Sequence, residues 1–282
     1  DIFRAHATGA VTIAALASQG ESTLSLEPLL RRMIAEGASD LHLSAGQIPR
    51  WRIDGELIPL QNVGPISSKN VWGQVKEIMP RPRKEEFTES GDTDFAHPLG
   101  DDARFRVNVF QDLNGVSAVF RHIPNHIRTI KQLGLPSIVK DFCQLPHGLI
   151  LITGPTGSGK STTLAAMVDF INRTRSEHIV TLEDPIEFVH EDQKGRVTQR
   201  EVGRDTITYT RALREVVRQS PDVIVIGEIR DIETMQIALS AALTGHLVLA
   251  TVHTLNAAQT LQRLLGYFPE HARTQAALDL SI

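Results

Sequence analysis

The run Gly154-Pro155-Thr156-Gly157-Ser158-Gly159-Lys160-Ser161-Thr162 has the residue types and spacing of a phosphate cradle, G-x-x-x-x-G-K-[ST]. Glycines let backbone N–H groups turn inward around phosphate oxygens, and a helix starting at the lysine adds a favourable dipole. Lys160 is expected to bridge the β- and γ-phosphates of a nucleotide and Ser161 to ligate Mg²⁺. Carboxylates follow in two places. Glu183-Asp184-Pro185-Ile186-Glu187 gathers three at a proline turn, and Gly227-Glu228 follows the apolar run Val223 to Ile226, with Gly where many P-loop enzymes place the Asp that organises Mg²⁺. Glu228 is thus read as the carboxylate that polarises the attacking water or works through the metal. The missing Asp passes the metal's waters to Asp184 or Glu183. Alone, such an acidic cluster is more often a solvated turn; its position after a P-loop strand favours the site. His246 and His253 stand at the two ends of one apolar run. A lone histidine is usually a hydrogen-bonding core or rim residue, and a zinc pair would need further ligands. His253, at the carboxyl end, is placed to sense a γ-phosphate.

These residues require strands that deliver them to one edge. Leu149 to Thr153, Ile179 to Leu182, Val223 to Ile226 and Leu247 to Val252 are short continuous apolar runs alternating with helical patterns, among them Thr162 to Ile171. That alternation predicts a mainly parallel sheet covered on both faces, with ligands at its carboxyl edge. Upstream, Leu26, Leu29, Leu30, Met33 and Ile34 mark one face of a helix, with Ser25 as N-cap and Gly37 as stop. Alternating residues around a hairpin turn at Asp54-Gly55, then Phe105 to Val109 and Val116 to Phe120, predict antiparallel strands. The expected organisation is a leader over 1–24, a small α+β domain over 25–123, a connector over 124–146 with a short helix at Ile138 to Phe142, and an α/β domain over 147–282.

A length of 282 residues accommodates two domains, and 41% hydrophobic with 22% charged residues is ordinary for a globular chain. The net charge of −4, without interleaved basic and aromatic residues, argues against a nucleic-acid surface, although Arg81, Arg83 and Lys84 form a small basic cluster. One cysteine, Cys143, excludes an intrachain disulfide and a cysteine-based zinc site within these residues, and fits a reducing compartment. Gly9 to Ala17 ends in an Ala-x-Ala pattern, which would suit a signal peptide; a loosely ordered leader agrees better with a nucleotide site downstream. A start at Asp1 and a stop at Ile282 suggest a fragment.

The boxes GPTGSGKST (154–162), VTLEDPIEF (180–188), SPDVIVIGEIRD (220–231) and TGHLVLATVHT (244–254), in this order and at these spacings, strongly resemble the secretion ATPases that power type IV pili and type II secretion. ASDLHLSAGQIPRWRIDGELIPL (38–60) and QREVG (199–203) resemble the retraction branch, of the PilT/PilU type. The resemblance covers about residues 25–282. It implies a PAS-like N-terminal domain before a RecA-like P-loop motor domain, and a homo-hexameric ring hydrolysing ATP with Mg²⁺. Such a ring pulls pilin through an inner-membrane platform protein. It would be cytoplasmic, at the inner face of the bacterial inner membrane, and associated with the membrane only through partners.

By the same resemblance Glu187 and Glu228 would be the catalytic pair and His246 and His253 the histidine-box pair. Arg106, Arg121 and Arg263 would make phosphate or interface contacts, although each is also readable as a solvated surface arginine. No arginine lies immediately beside the loop and carboxylates in sequence, so Arg106 or Arg121 of the first domain would complete the site. Leu255-Asn256 departs from the family's usual Asn followed by a small residue. The segments that separate retraction from assembly enzymes would lie beyond Ile282. A pilus-assembly or type II secretion ATPase is the nearest alternative; a nucleic-acid translocase or a nucleotide-binding partner with little turnover are alternatives of other classes.

Overall fold

The structure, a computed structural model, describes residues 25–100, 103–123 and 126–279. The expected leader over 1–24, with its apolar stretch, lies outside them. The chain divides into two compact units, the first formed by residues up to 78 together with 109–121, the second by 79–108 and the residues from 122 onward.

In the first unit, helix α1 (Leu26–Ala35) buries Leu26, Leu29, Leu30 and Met33, the residues at helical spacing. Ser25 has the extended backbone of an N-cap, but its side chain makes no capping bond. At the other end the N–H groups of Gly37 and Ala38 return to the carbonyls of Ile34 and Met33, which closes the helix. Strands β1 (Asp40–Leu43), β2 (Arg50–Ile53) and β3 (Glu56–Pro59) follow, then α2 (Ser68–Ile78). The β2–β3 hairpin turns at Asp54-Gly55, both at positive φ (49° and 88°), as a two-residue turn of this hand requires. After α3 (Arg81–Ser90), β4 (Asp92–Leu99) and β5 (Ala103–Asp112) comes β6 (Gly115–Ile123), and the antiparallel order is β3-β2-β1-β6-β5-β4. Opposite Leu41 stand Trp51 and Phe120, all buried; opposite Asp40 stand Arg52 and Arg121. Period-2 alternation thus makes one face apolar and leaves the other charged.

The second unit contains α3, β4 and the first part of β5, then α4 (Ile138–Phe142), β7 (Gly148–Thr153), α5 (Lys160–Thr174), β8 (His178–Glu183), β9 (Arg196–Glu201), α6 (Tyr209–Val216), β10 (Val223–Ile226), α7 (Ile232–Leu243), β11 (Leu247–Val252), α8 (Ala257–Tyr267) and α9 (Arg273–Asp279). Its five strands are all parallel, in the order β7-β11-β10-β8-β9. Val223, Val225, Leu247 and Leu249 join one core with Met167 and Ile171 of α5; Ile224, Ile226, Val248 and Ala250 join another with Leu213 of α6 and Met235 of α7. Alternate residues bury themselves on opposite faces, which is why the sequence runs are continuously apolar. Cys143 belongs to the first of these cores, and burial pushes its thiol up to about 12, so it acts as a small hydrophobe.

Segment 79–108, read from sequence with the first domain, groups here with the second unit. Of the small basic cluster, Arg83 is turned inward to Asp184 (3.2 Å), while Arg81 stays at the surface beside Glu85 (3.1 Å). Among the described residues no helix is long and apolar enough to cross a membrane.

Candidate functional site

Strand order alone brings five loops together. Thr153 is level with Val252, Ile226 with both Ala250 and Leu182, and Glu183 with Glu201, so the segments after β7, β11, β10, β8 and β9 leave one edge side by side.

After β7 the chain turns at Gly154 (φ 155°), where a Cβ would stand 2.4 Å from the Ser158 hydroxyl; only glycine fits. Gly159 caps α5, and Thr163 N–H returns to the Gly159 carbonyl. Lys160 is buried, and its three donors are all used: the carbonyls of Gly154 (2.9 Å) and Pro155 (3.0 Å) accept two, and His253 Nδ1 (3.3 Å) takes the third. An ammonium only donates, so Nδ1 accepts and the imidazole proton sits on Nε2, which lies 3.2 Å from Glu228 Oε1. The other oxygen of Glu228 accepts from Arg230 at 2.9 Å. Ser161 is exposed in the first turn of α5, with Thr162 half-buried beside it. A cleft of about 640 Å³ opens next to the loop, lined by Pro155, Thr156, His253, Leu255, Gln259 and Arg263 among others. Arg263 donates to the His253 carbonyl (2.9 Å) and so braces that wall.

Gly227, just after β10, is closely approached: a Cβ there would lie 3.0 Å from the Tyr209 hydroxyl and 3.2 Å from the Leu182 carbonyl, so a side chain would require those neighbours to give way. In the acidic box, Asp184 pairs with Arg83 and lies 4.0 Å from Arg230, while Glu187 lies 3.5 Å from Arg106. Burial lowers the pKa of Arg106, but its hydrogen bond and charge interaction with Asp94 more than offset this, so the guanidinium is held charged. Glu183 differs. Its carboxylate accepts from Thr181 (2.7 Å) and Gln199 (3.1 Å), and burial raises its pKa, which makes it a poor cation ligand. Buried Glu201 accepts from Ile186 N–H (3.1 Å) and pairs with Arg104 (3.7 Å), clamping the proline turn from below.

Lys160, His253 and Glu228 therefore meet, Asp184 adjoins them through Arg230, Glu187 is joined to Arg106, and Arg263 borders the loop. His246 does not meet them. It precedes the six-residue β11, at the opposite end from His253, with Nδ1 3.0 Å from the Ala241 carbonyl. Arg121 lies in the first unit and donates to Asp40 (2.8 Å). No arginine is immediately adjacent to the carboxylates in sequence, but Arg230, two residues after Glu228, reaches back and holds it at 2.9 Å. The signal was available, since buried Ile229 between them puts both polar side chains on the opposite side of the loop. Arg83 carried no such signal; it is 101 residues from Asp184. Among the described residues no group of three or more His, Cys, Asp or Glu side chains could hold a metal unaided.

The model of the type II/IV secretion system protein family matches residues 17–281. A Pseudomonas aeruginosa protein named type IV pilus retractation ATPase PilT is 47% identical over 92% of this chain and 75% of its own length. Type IV pilus ATPase PilU of the same organism is 41% identical over 92% of this chain and 68% of its own. A crystal structure of the pilus retraction motor PilT with bound ADP matches with a TM-score of 0.85 and 44% identity, over 92% of this chain and 75% of that one.

Proposed function

Because the chain belongs to the type II/IV secretion system protein family, we propose that it is a Mg²⁺-dependent ATPase that drives type IV pilus retraction. The parallel-sheet unit is then a RecA-like motor and the first unit a PAS-like domain. Six copies form a cytoplasmic ring at the inner face of the inner membrane, working on a platform protein of the pilus base. Similarity to PilT supports the retraction branch. The observation that carries hydrolysis is the run Lys160–His253–Glu228 beside a phosphate-binding loop.

The chemistry follows from that run. Terminal phosphate oxygens compete with His253 for the third donor of Lys160, the longest of its bonds at 3.3 Å. His253 is thereby released from the lysine, and Glu228 Oε1, which has a second lone pair besides the one facing His253, accepts from water. The water oxygen bonds to the γ-phosphorus, its proton passes to Glu228, and the bond to the bridging oxygen breaks to leave ADP and phosphate. Ser161 and Asp184 are the residues that would hold Mg²⁺ or orient its waters, and the ion would neutralise charge on the β- and γ-phosphate oxygens. So few protein ligands suffice, because Mg²⁺ keeps several waters and takes phosphate oxygens. Glu183 is left out, because burial disfavours its charged form and its Oε1 already accepts two hydrogen bonds. Arg106, Arg263 and, from a neighbouring copy, Arg121 are the cations available to the spreading phosphoryl charge.

The test is steady-state ATP hydrolysis with Mg²⁺ across a range of protein concentration, with light scattering to follow assembly. Turnover that rises as rings form is expected. Restoration of twitching in a strain lacking its retraction motor tests the direction of force. Absence of turnover in the assembled protein would refute the motor reading.

A further inference from the structure

Glu228 is a flexible carboxylate just after β10 with Gly227 before it, so no neighbouring acid shares its place and another group must orient it. We propose that Arg230 is a positioning residue for hydrolysis, fixing the carboxylate of Glu228 on the face turned toward Lys160. The proposal rests on the reading of Glu228 as the group that activates water.

The loop that carries both residues is pinned at each end. Gly227 N–H donates to the Leu182 carbonyl (2.8 Å), Ile229 N–H donates to the Thr251 carbonyl (3.0 Å), and Asp231 caps α7 by accepting from Thr234 N–H (2.7 Å). Ile229 is buried, so Glu228 and Arg230 project together from the other side. The Nε and Nη2 donors of Arg230 both address Glu228 Oε2 at 2.9 Å. This fork leaves Oε1, the oxygen beside His253, as the one that faces the P-loop. Arg230 is itself held from two sides. Its Nη1 lies 4.0 Å from Asp184, which Arg83 binds at 3.2 Å, and its carbonyl accepts from the Tyr267 hydroxyl at 3.4 Å. An alternating series of charges, Arg83–Asp184–Arg230–Glu228, thus ends at the reacting carboxylate, on the oxygen opposite the one beside His253.

A role in stability alone is the competing account. The Arg230 side chain is 56% exposed and Glu228 21%, and an ion pair with one partner so open to solvent contributes little to folding. For the reaction the same bond matters more, because small misplacement of a reacting group costs about 10²-fold in rate. The two accounts therefore separate cleanly.

The experiment uses the full chain and the variants Arg230→Gln, Arg230→Lys, Glu228→Gln and the double variant Arg230→Gln/Glu228→Gln. Melting temperature, binding of a fluorescent ATP analogue and steady-state kcat are measured for each. Arg230→Gln should keep its Tm and bind the analogue within about threefold of wild type, yet lose roughly 10- to 100-fold in kcat. Arg230→Lys should recover part of that loss, since it restores the charge without the fork. The double variant should be no slower than Glu228→Gln, because both changes act through one group. A kcat within threefold of wild type for Arg230→Gln, or losses that multiply in the double variant, would overturn the proposal. If Arg230→Gln does not fold, Arg230→Lys decides alone: unchanged kcat overturns it, and a lower kcat at unchanged Tm supports it. Wild-type turnover by Glu228→Gln would instead sink the assignment of the base, and this proposal with it.

Discussion

At the carboxyl edge of the parallel sheet, Lys160, His253, Glu228, Arg230 and Asp184 follow one another in a chain of side-chain contacts, even though Lys160 also donates to two backbone carbonyls. At the amino edge the same kinds of side chain are tied to the backbone or to uncharged groups. His246 bonds the Ala241 carbonyl (3.0 Å), His178 lies 3.3 Å from the Ser220 carbonyl and 2.9 Å from the Thr198 hydroxyl, and Asp222 accepts from His178 N–H (2.8 Å). A polar group spent on the backbone holds the fold, and removing it leaves a buried carbonyl or N–H unsatisfied. Groups that bond one another can exchange partners when an anion arrives. Residue type does not separate the two edges; the partner does.

The comparison breaks first at Lys160. Lys160→Ala should abolish hydrolysis, a loss of roughly a thousandfold or more in kcat/KM, and weaken nucleotide binding; wild-type turnover would remove the site from this edge. Glu228→Gln should still bind nucleotide but lose roughly 10²- to 10⁴-fold in kcat. Unchanged kcat with weakened binding would make Glu228 a binding residue and pass its role to Glu187.

The histidines test the two edges directly. His253→Ala should lower kcat about 10- to 100-fold, whereas His246→Ala should leave kcat alone and cost about 0.5–1.5 kcal/mol of stability through its lost hydrogen bond. Equal kinetic losses in the two variants would erase the distinction. The smallest effect belongs to Glu183. Burial raises its pKa above the ordinary 4.5, so the folded chain holds that proton more tightly than the unfolded one. Stability is therefore lost as pH rises from the ordinary value through the raised one. Glu183→Gln should melt higher than wild type at pH 7, the gain should vanish in acid below the ordinary carboxylate range, and kcat should change little. A kinetic loss as large as that of Glu228→Gln would restore Glu183 to the metal site.

The phosphate loop was legible in the sequence because it works through consecutive backbone groups: nine residues in a row contain the turn, the cation and the helix start. The parallel sheet was legible for a related reason, since a strand buried on both faces must be apolar at every position. The Asp54-Gly55 hairpin declared itself through the two residues able to adopt its dihedral angles. Partnerships across the chain were not legible. Arg106 reaches Glu187 over 81 residues and Arg83 reaches Asp184 over 101, and both depend on how segment 79–108 docks, which no local pattern encodes. Nor do four similar apolar runs reveal the order β7-β11-β10-β8-β9. Sequence thus determined which residues lead out of strands toward phosphate chemistry. Tertiary structure decided which of them meet, setting His253 between Lys160 and Glu228, because side-chain contact depends on strand order and packing rather than on residue type.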